Sequence, residues 1–118
     1  MVARALAAAG RLAGEGVSAE VIDPRTLAPL DTATIIESVS RTGHLVLVDQ
    51  ATRHASASAV IAAEVADAGF GYLKAPIKQV TALDTPIPYS KPMEEHVLPS
   101  EDRIVAAVRQ VLSPAPVT

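Results

Sequence analysis

Asp49, Gln50, Arg53 and His54 bring an acid, an amide, a cation and an imidazole into one short stretch, directly after the apolar run Leu45–Val48. Ligand sites in open parallel sheets gather at the carboxyl ends of strands, so an Asp49–His54 acid–base pair is one reading. No serine or cysteine nucleophile motif accompanies the pair. The plainer reading is favoured: Asp49 caps the loop or binds backbone donors, while Arg53 and His54 sit in solvent or at an interface. His44 follows a glycine at a strand start and reads as structural. His96 lies among Glu94, Glu95 and Pro99, a spacing without convergent metal ligands, and reads as part of a solvated acidic turn. Nothing matches a phosphate-binding glycine loop. Gly69-Phe70-Gly71 follows a helical segment, which suits a helix cap. Glu94, Glu95, Glu101 and Asp102 could form an acidic patch for a basic partner, although Glu101 and Asp102 equally suit a helix start.

The elements that must position these residues follow from the pattern of the chain. Its 118 residues fit one domain with one core. Apolar residues make up 49% and aromatic residues 3%, so the core is built from small aliphatic side chains. Charged residues make up only 19%, which leaves room for a surface covered by a partner. The net charge of −3 comes without a basic stripe, which argues against nucleic-acid binding. There is no cysteine, in keeping with a cytoplasmic protein. No apolar run approaches the roughly 20 residues of a transmembrane helix, and the arginines at 4 and 11 do not suit a signal peptide.

Helices are predicted over Val2–Glu15, with Val2, Leu6, Ala9 and Leu12 or Ala13 on its apolar face, and over Asp31–Thr42, with Asp31 as N-cap and Gly43 as stop. Two more are predicted over Ala57–Ala68 and from Ser100 onward. Strands are predicted over Val17–Asp23, His44–Gln50 and Pro76–Ala82. The second reads as buried on both faces. Pro24–Leu30, Ala51–Ser56 and Lys91–Ser100 read as loops, turns and caps. The segment Val80–Ser90 leaves its strand through Pro86 and Pro88, which cannot continue a ladder. The order α-β-α-β-α-β-α implies a mostly parallel sheet with helices on both faces. On these grounds two classes stand: a non-catalytic domain of a larger enzyme, or a small binding module of flavodoxin-like type. The missing phosphate loop counts against the second.

Specific words then narrow the choice. Ala19-Glu20-Val21-Ile22-Asp23-Pro24-Arg25-Thr26-Leu27-Ala28-Pro29-Leu30-Asp31 resembles a signature of transketolase-type carboxy-terminal domains. Gly43–Asp49, Leu73–Pro76, Val80–Ala82, Asp84–Ser90 and Leu98–Ser100 with Arg103–Val108 continue the likeness in order. More narrowly, the chain resembles the β subunit of thiamine-diphosphate-dependent 2-oxo acid dehydrogenases of pyruvate, branched-chain and acetoin types. That resemblance implies a three-layer α/β/α fold over residues 1–112, lacking the family's first strands; the two prolines of 113–118 separately mark a flexible tail. It implies no catalytic residue, cofactor or metal in this chain, thiamine diphosphate and magnesium being held elsewhere in the full enzyme. It implies a non-catalytic assembly role, with an α subunit, a second β subunit and the subunit-binding domain of an acyltransferase core as partners. Asp84, Pro86, Pro88, Tyr89, Glu94, Glu95, Glu101 and Asp102 are the interface candidates. The alternative is an independent small-ligand-binding or regulatory α/β domain.

Departures from the family are Gln50 for a usual glutamate, Ser56-Ala57-Ser58 for a glycine-containing turn, and Lys74 where pyruvate-type members often carry an acid. Family members also have a central strand just before the helix that begins here at Val2. Without it, Val17–Asp23 and His44–Gln50 are expected either to pair directly or to receive a strand from another chain. A gap between them would count against both expectations.

Overall fold

The computed structural model describes residues 1–25, 30–86 and 89–113. Thr26–Pro29 of the resemblance signature, Ile87 and Pro88 of the strand exit, and all of the tail after Ser113 lie outside the described residues.

Five helices and two strands make up the described chain: α1 Val2–Ala13, α2 Thr32–Thr42, β1 Val46–Thr52, α3 Ala57–Gly69, β2 Lys78–Ala82, α4 Lys91–Val97 and α5 Glu101–Leu112. Short 3-10 turns at Arg53–Ala55 and Phe70–Tyr72 flank α3. The strands are parallel, with Val46 opposite Lys78 and Val48 opposite Val80. A parallel pair needs a long crossover, and α3 supplies it. The register then slips, so that Thr52 faces Ala82. β1 therefore carries surplus residues between Val48 and Thr52, and they include Asp49.

Alternation along β1 feeds two cores. Val46 and Val48 pack with Ala8, Leu12, Val80, Ile104 and Val105 beneath α1 and α5. Leu45 and Leu47 pack with Ile35, Val39, Ile61 and Val65 beneath α2 and α3. The result is helix, sheet, helix, as expected of a three-layer α/β fold. A third, smaller cluster of Ala82, Val97 and Leu98 seats α4 on the end of β2.

Local chemistry explains the helix ends. Asp31 caps α2 by accepting from the Thr34 backbone N–H at 3.2 Å, and Gly43 ends it at a φ of 75°. A Cβ on Gly43 would lie 2.7 Å from the Lys74 side chain, whose backbone N–H donates to the Gly43 carbonyl at 2.8 Å. The left-handed dihedral is what favours glycine at that turn, and an added Cβ would also displace the Lys74 side chain. Ser56 and Ser100 cap α3 and α5 in the same manner as Asp31.

Four expectations are corrected. Val17–Asp23 forms no strand: the sheet among the described residues holds β1 and β2 alone. Extended backbone becomes a strand only through a hydrogen-bonded neighbour; a cavity lies between this segment and β1, which counts against both direct pairing of the two and a strand received from another chain. The same cavity leaves Leu45, Val46 and Val48 half-buried, so the run is not buried on both faces. The apolar face of α1 is rotated as well. Ala8 and Leu12 are buried, whereas Val2 and Leu6 are exposed. The small Ala8 lets α1 approach α5, and that face sets Arg4 and Arg11 beside acids of α4 and α5. Finally, Lys91–Val97 is a helix and not a run of turns. Ser90 at its N-cap, Pro92 in its first turn and His96 in its last are the sequence signals that mark it.

Candidate functional site

Asp49 does not meet His54. Its Oδ1 accepts from the Ala51 backbone N–H at 3.0 Å and its Oδ2 from the Ser58 backbone N–H at 3.2 Å. The surplus residues of β1 turn this carboxylate toward the start of α3, where it favours the helix dipole. Ser56 and Ser58 share a hydroxyl hydrogen bond of 2.6 Å, and the Gln79 amide donates to Ser58 Oγ at 3.4 Å. This network orders the β1–α3 junction and leaves no acid or base poised for transfer. His54 stands instead 3.8 Å from Asp84, with both side chains exposed.

The strand exit and α4 form one excursion closed at its base. The Leu83 N–H donates to the Val97 carbonyl at 2.9 Å, so chain that leaves at Leu83 returns at Val97. Asp84, Pro86, Tyr89, Glu94 and Glu95 all ride on it. Pro88, the remaining candidate on this segment, lies outside the described residues. Tyr89 is fully exposed, and Leu83 and Met93 are exposed apolar side chains on the same excursion. These two were missed by sequence reasoning, because an exposed Leu or Met looks like a core residue until the helix is placed. Below the excursion, Arg103 Nη2 donates to the Thr81 carbonyl at 2.7 Å. Its Nη1 is buried without a partner among the described residues.

The acids do not form one patch. Arg4 holds both oxygens of Glu95, at 2.9 and 3.0 Å, and donates to the Pro99 carbonyl at 2.6 Å. Arg11 holds Asp102 at 2.6 Å and Glu101 at 3.2 Å. Arg109 pairs with Glu15 along the same seam. Hydrogen bonding to Asp102 first and Glu101 second pushes the Arg11 guanidinium further up from its ordinary pKa. The Asp31 carboxyl is held below its ordinary value by the Thr34 hydroxyl and then by the Thr34 N–H. Glu94 alone of the four candidate acids makes no ion pair among the described residues.

A second feature lies in the sheet layer itself. A cavity of about 690 Å³ separates Val17–Pro24 from β1. α1 and α5 line one side, and α2 and the start of α3 line the other. A sealed, dry void of that volume would cost roughly 17 kcal/mol at about 24 cal/mol per Å³. That exceeds the roughly 5–15 kcal/mol by which a domain is stable, so the cavity cannot be a closed and dry one.

Residues 1–104 match the family described as "Transketolase, C-terminal domain". The chain belongs to that family. It is 47% identical over 112 residues to the acetoin:2,6-dichlorophenolindophenol oxidoreductase subunit beta of Cupriavidus necator, covering 95% of this chain and 33% of the relative. It is 45% identical over 108 residues to the Bacillus subtilis protein of the same name, covering 92% and 32%. It is 45% identical over 107 residues to a pyruvate dehydrogenase E1 component subunit beta of Rickettsia bellii, covering 91% and 33%. This transketolase C-terminal domain therefore spans about a third of the length of the curated relatives it matches.

Among the described residues, the lining of the cavity beside β1 does not fit thiamine diphosphate and magnesium. The cavity lining holds no Lys or Arg to meet a diphosphate. Its carboxylates are already engaged: Asp49 by backbone N–H groups, Glu20 by Arg41 at 2.8 Å and Asp23 by Arg25 at 3.7 Å. No helix among the described residues is long and apolar enough to cross a membrane.

Proposed function

We propose that residues 1–112 form the non-catalytic assembly domain of the β subunit of a cytoplasmic 2-oxo acid dehydrogenase, in its decarboxylating component. The observation that carries this reading is identity of 45–47% along more than nine-tenths of the chain to β subunits of acetoin and pyruvate enzymes. Thiamine diphosphate, magnesium and the reacting groups belong to other parts of the full enzyme. The chain's own work is to meet an α subunit and a second β subunit, and to dock on the subunit-binding domain of an acyltransferase core.

The exit and α4 suit that work. Tyr89, Met93 and Leu83 are exposed apolar side chains on this excursion, and aromatic anchors dominate interface energetics. Asp84 and Glu94 add acids on the same excursion, while Glu95, Glu101 and Asp102 are held by Arg4 and Arg11 and would meet a partner as ion pairs. Pro86 and Pro88 stiffen the segment, which lowers the entropy lost on binding.

Co-expression with an acetoin-type α subunit and the amino-terminal part of its β subunit tests the reading. The chain should co-purify with them. Tyr89→Ala should weaken that association about tenfold or more, while the thermal midpoint of the isolated chain stays nearly unchanged. Joint replacement of Pro86 and Pro88 by alanine should act in the same direction. Failure of the unaltered chain to associate would sink the proposal. Equal loss of fold and association in the variants would reduce the segment to a structural one.

A further inference from the structure

We propose that Arg4 is the positioning residue of the excursion: it ties α4 to α1 and so fixes the orientation in which α4 meets a partner subunit. The inference rests on the assembly reading above for its partner. For the positioning itself it rests on the geometry of the chain alone.

The thin seating of α4 is the first support. Its 7 residues are too few for a helix that is stable by itself. The Ser90 side chain makes no capping hydrogen bond at its start. At its end Val97, with Leu98 just beyond, clusters with the small Ala82. The bond from the Leu83 N–H to the Val97 carbonyl closes the base of the excursion. Met93 is exposed, and so is Tyr89 just before the helix. A helix held so lightly takes its orientation from whatever else grips it.

The grip of Arg4 is the second. Its guanidinium donates to both oxygens of Glu95, at 2.9 and 3.0 Å, and to the Pro99 carbonyl at 2.6 Å. One planar group thus holds α4 and the link to α5 together, which the fork of an arginine allows and a single ammonium does not. The Arg4 side chain is 29% exposed against 61% for Glu95, so the cation is the more shielded partner. Its anchor is firm, because Ala8 and Leu12 of the same helix are each 1% exposed in the core. Two turns further along α1, Arg11 holds Asp102 and Glu101 in the first turn of α5. The α4–α5 link is therefore pinned to α1 on both sides. With both oxygens engaged, Glu95 serves the orientation of α4 and is not a free acid for a partner.

Arg4→Met keeps much of the apolar stem and removes the fork, and it tests the proposal on the whole chain by two readouts. Amide exchange followed by NMR should quicken about threefold to tenfold at Leu83, Glu94 and Leu98, whose N–H groups bond within the excursion. The amides of β1 and β2 should not change. Association with the co-expressed α subunit and amino-terminal part of the β subunit should weaken by about the same factor, because the competent orientation is less populated. The thermal midpoint should stay nearly unchanged. Arg4→Lys should recover part of both effects, and adding Glu95→Ala to Arg4→Met should cause no further loss. Weaker association without faster exchange at α4 would overturn the proposal, because Arg4 would then touch the partner itself. Tighter association would overturn it too, since Arg4 would then mask an acid. So would a further loss in the double variant, since Glu95 would then meet the partner independently. Failure of the unaltered chain to associate would remove the assembly reading and the partner named here. The exchange result would still decide whether Arg4 holds α4.

Discussion

The two edges of β1 carry the same kind of backbone and meet opposite fates. Toward β2 the strand finds a parallel partner in register, with Val48 opposite Val80 and both cores continuing across the pair. Toward Val17–Pro24 it finds a cavity, although Val17 and Ile22 touch the two cores on its far side. Apolar pattern alone therefore does not make a strand. The Val17–Asp23 segment has alternating Val17, Ala19 and Val21, and still lacks the neighbour that would order it. The lesson is that strand identity belongs to pairs, while helix identity belongs to segments.

The largest contrast should come from one substitution made on both sides. Val80→Ala removes two buried methyl groups beside Val105 and should cost roughly 1.5–3 kcal/mol in urea unfolding. Val21→Ala, half-buried across the cavity, should cost less than about 1 kcal/mol. Similar costs would mean that the far side is packed as firmly as the near one. Next come two glycines with left-handed backbone, Gly43 at a φ of 75° and Gly16 at 82°. Alanine at either should cost about 1–2 kcal/mol from the dihedral. Gly43→Ala should cost more, because its Cβ meets Lys74 whereas that of Gly16 meets open space. Equal thermal shifts for the two would show that Lys74 yields freely. The smallest effect concerns how α1 is held. A double-mutant cycle on Arg4 and Glu95 should give a coupling of about 0.2–1 kcal/mol that fades with salt. Coupling that survives high salt would mean the α1 side is as firmly built as the β2 side.

Much of this was legible in the residues. The N-caps Asp31 and Ser100 and the stop at Gly43 all act over a few residues, and each lies where its local chemistry predicts; Gly69 ends α3 without a left-handed cap, and a 3-10 turn continues from it. Both paired strands were legible within two residues, because continuous aliphatic runs are hard to satisfy in any other way. The reading of Asp49 as a partner for backbone donors also holds, since an acid after a strand and before a helix start has N–H groups at hand. The face of α1 was not legible. An alanine-rich helix offers several nearly equivalent stripes, and long-range ion pairs to α4 and α5 break the tie. The scattering of the acids was equally hidden, because Arg4 and Arg11 lie some ninety residues away in sequence.

By itself the sequence determined four of the five helices, the caps at Asp31 and Ser100, the two aliphatic strands and the family, since these rest on short-range stereochemistry and on words of contiguous residues. Only the tertiary structure decided which edge of β1 is paired and which arginines claim the acids. It also decided that Leu83, Tyr89 and Met93 are exposed. Those outcomes depend on which distant segments meet, and meeting is settled by packing across the whole molecule, where no single stretch of chain holds the information.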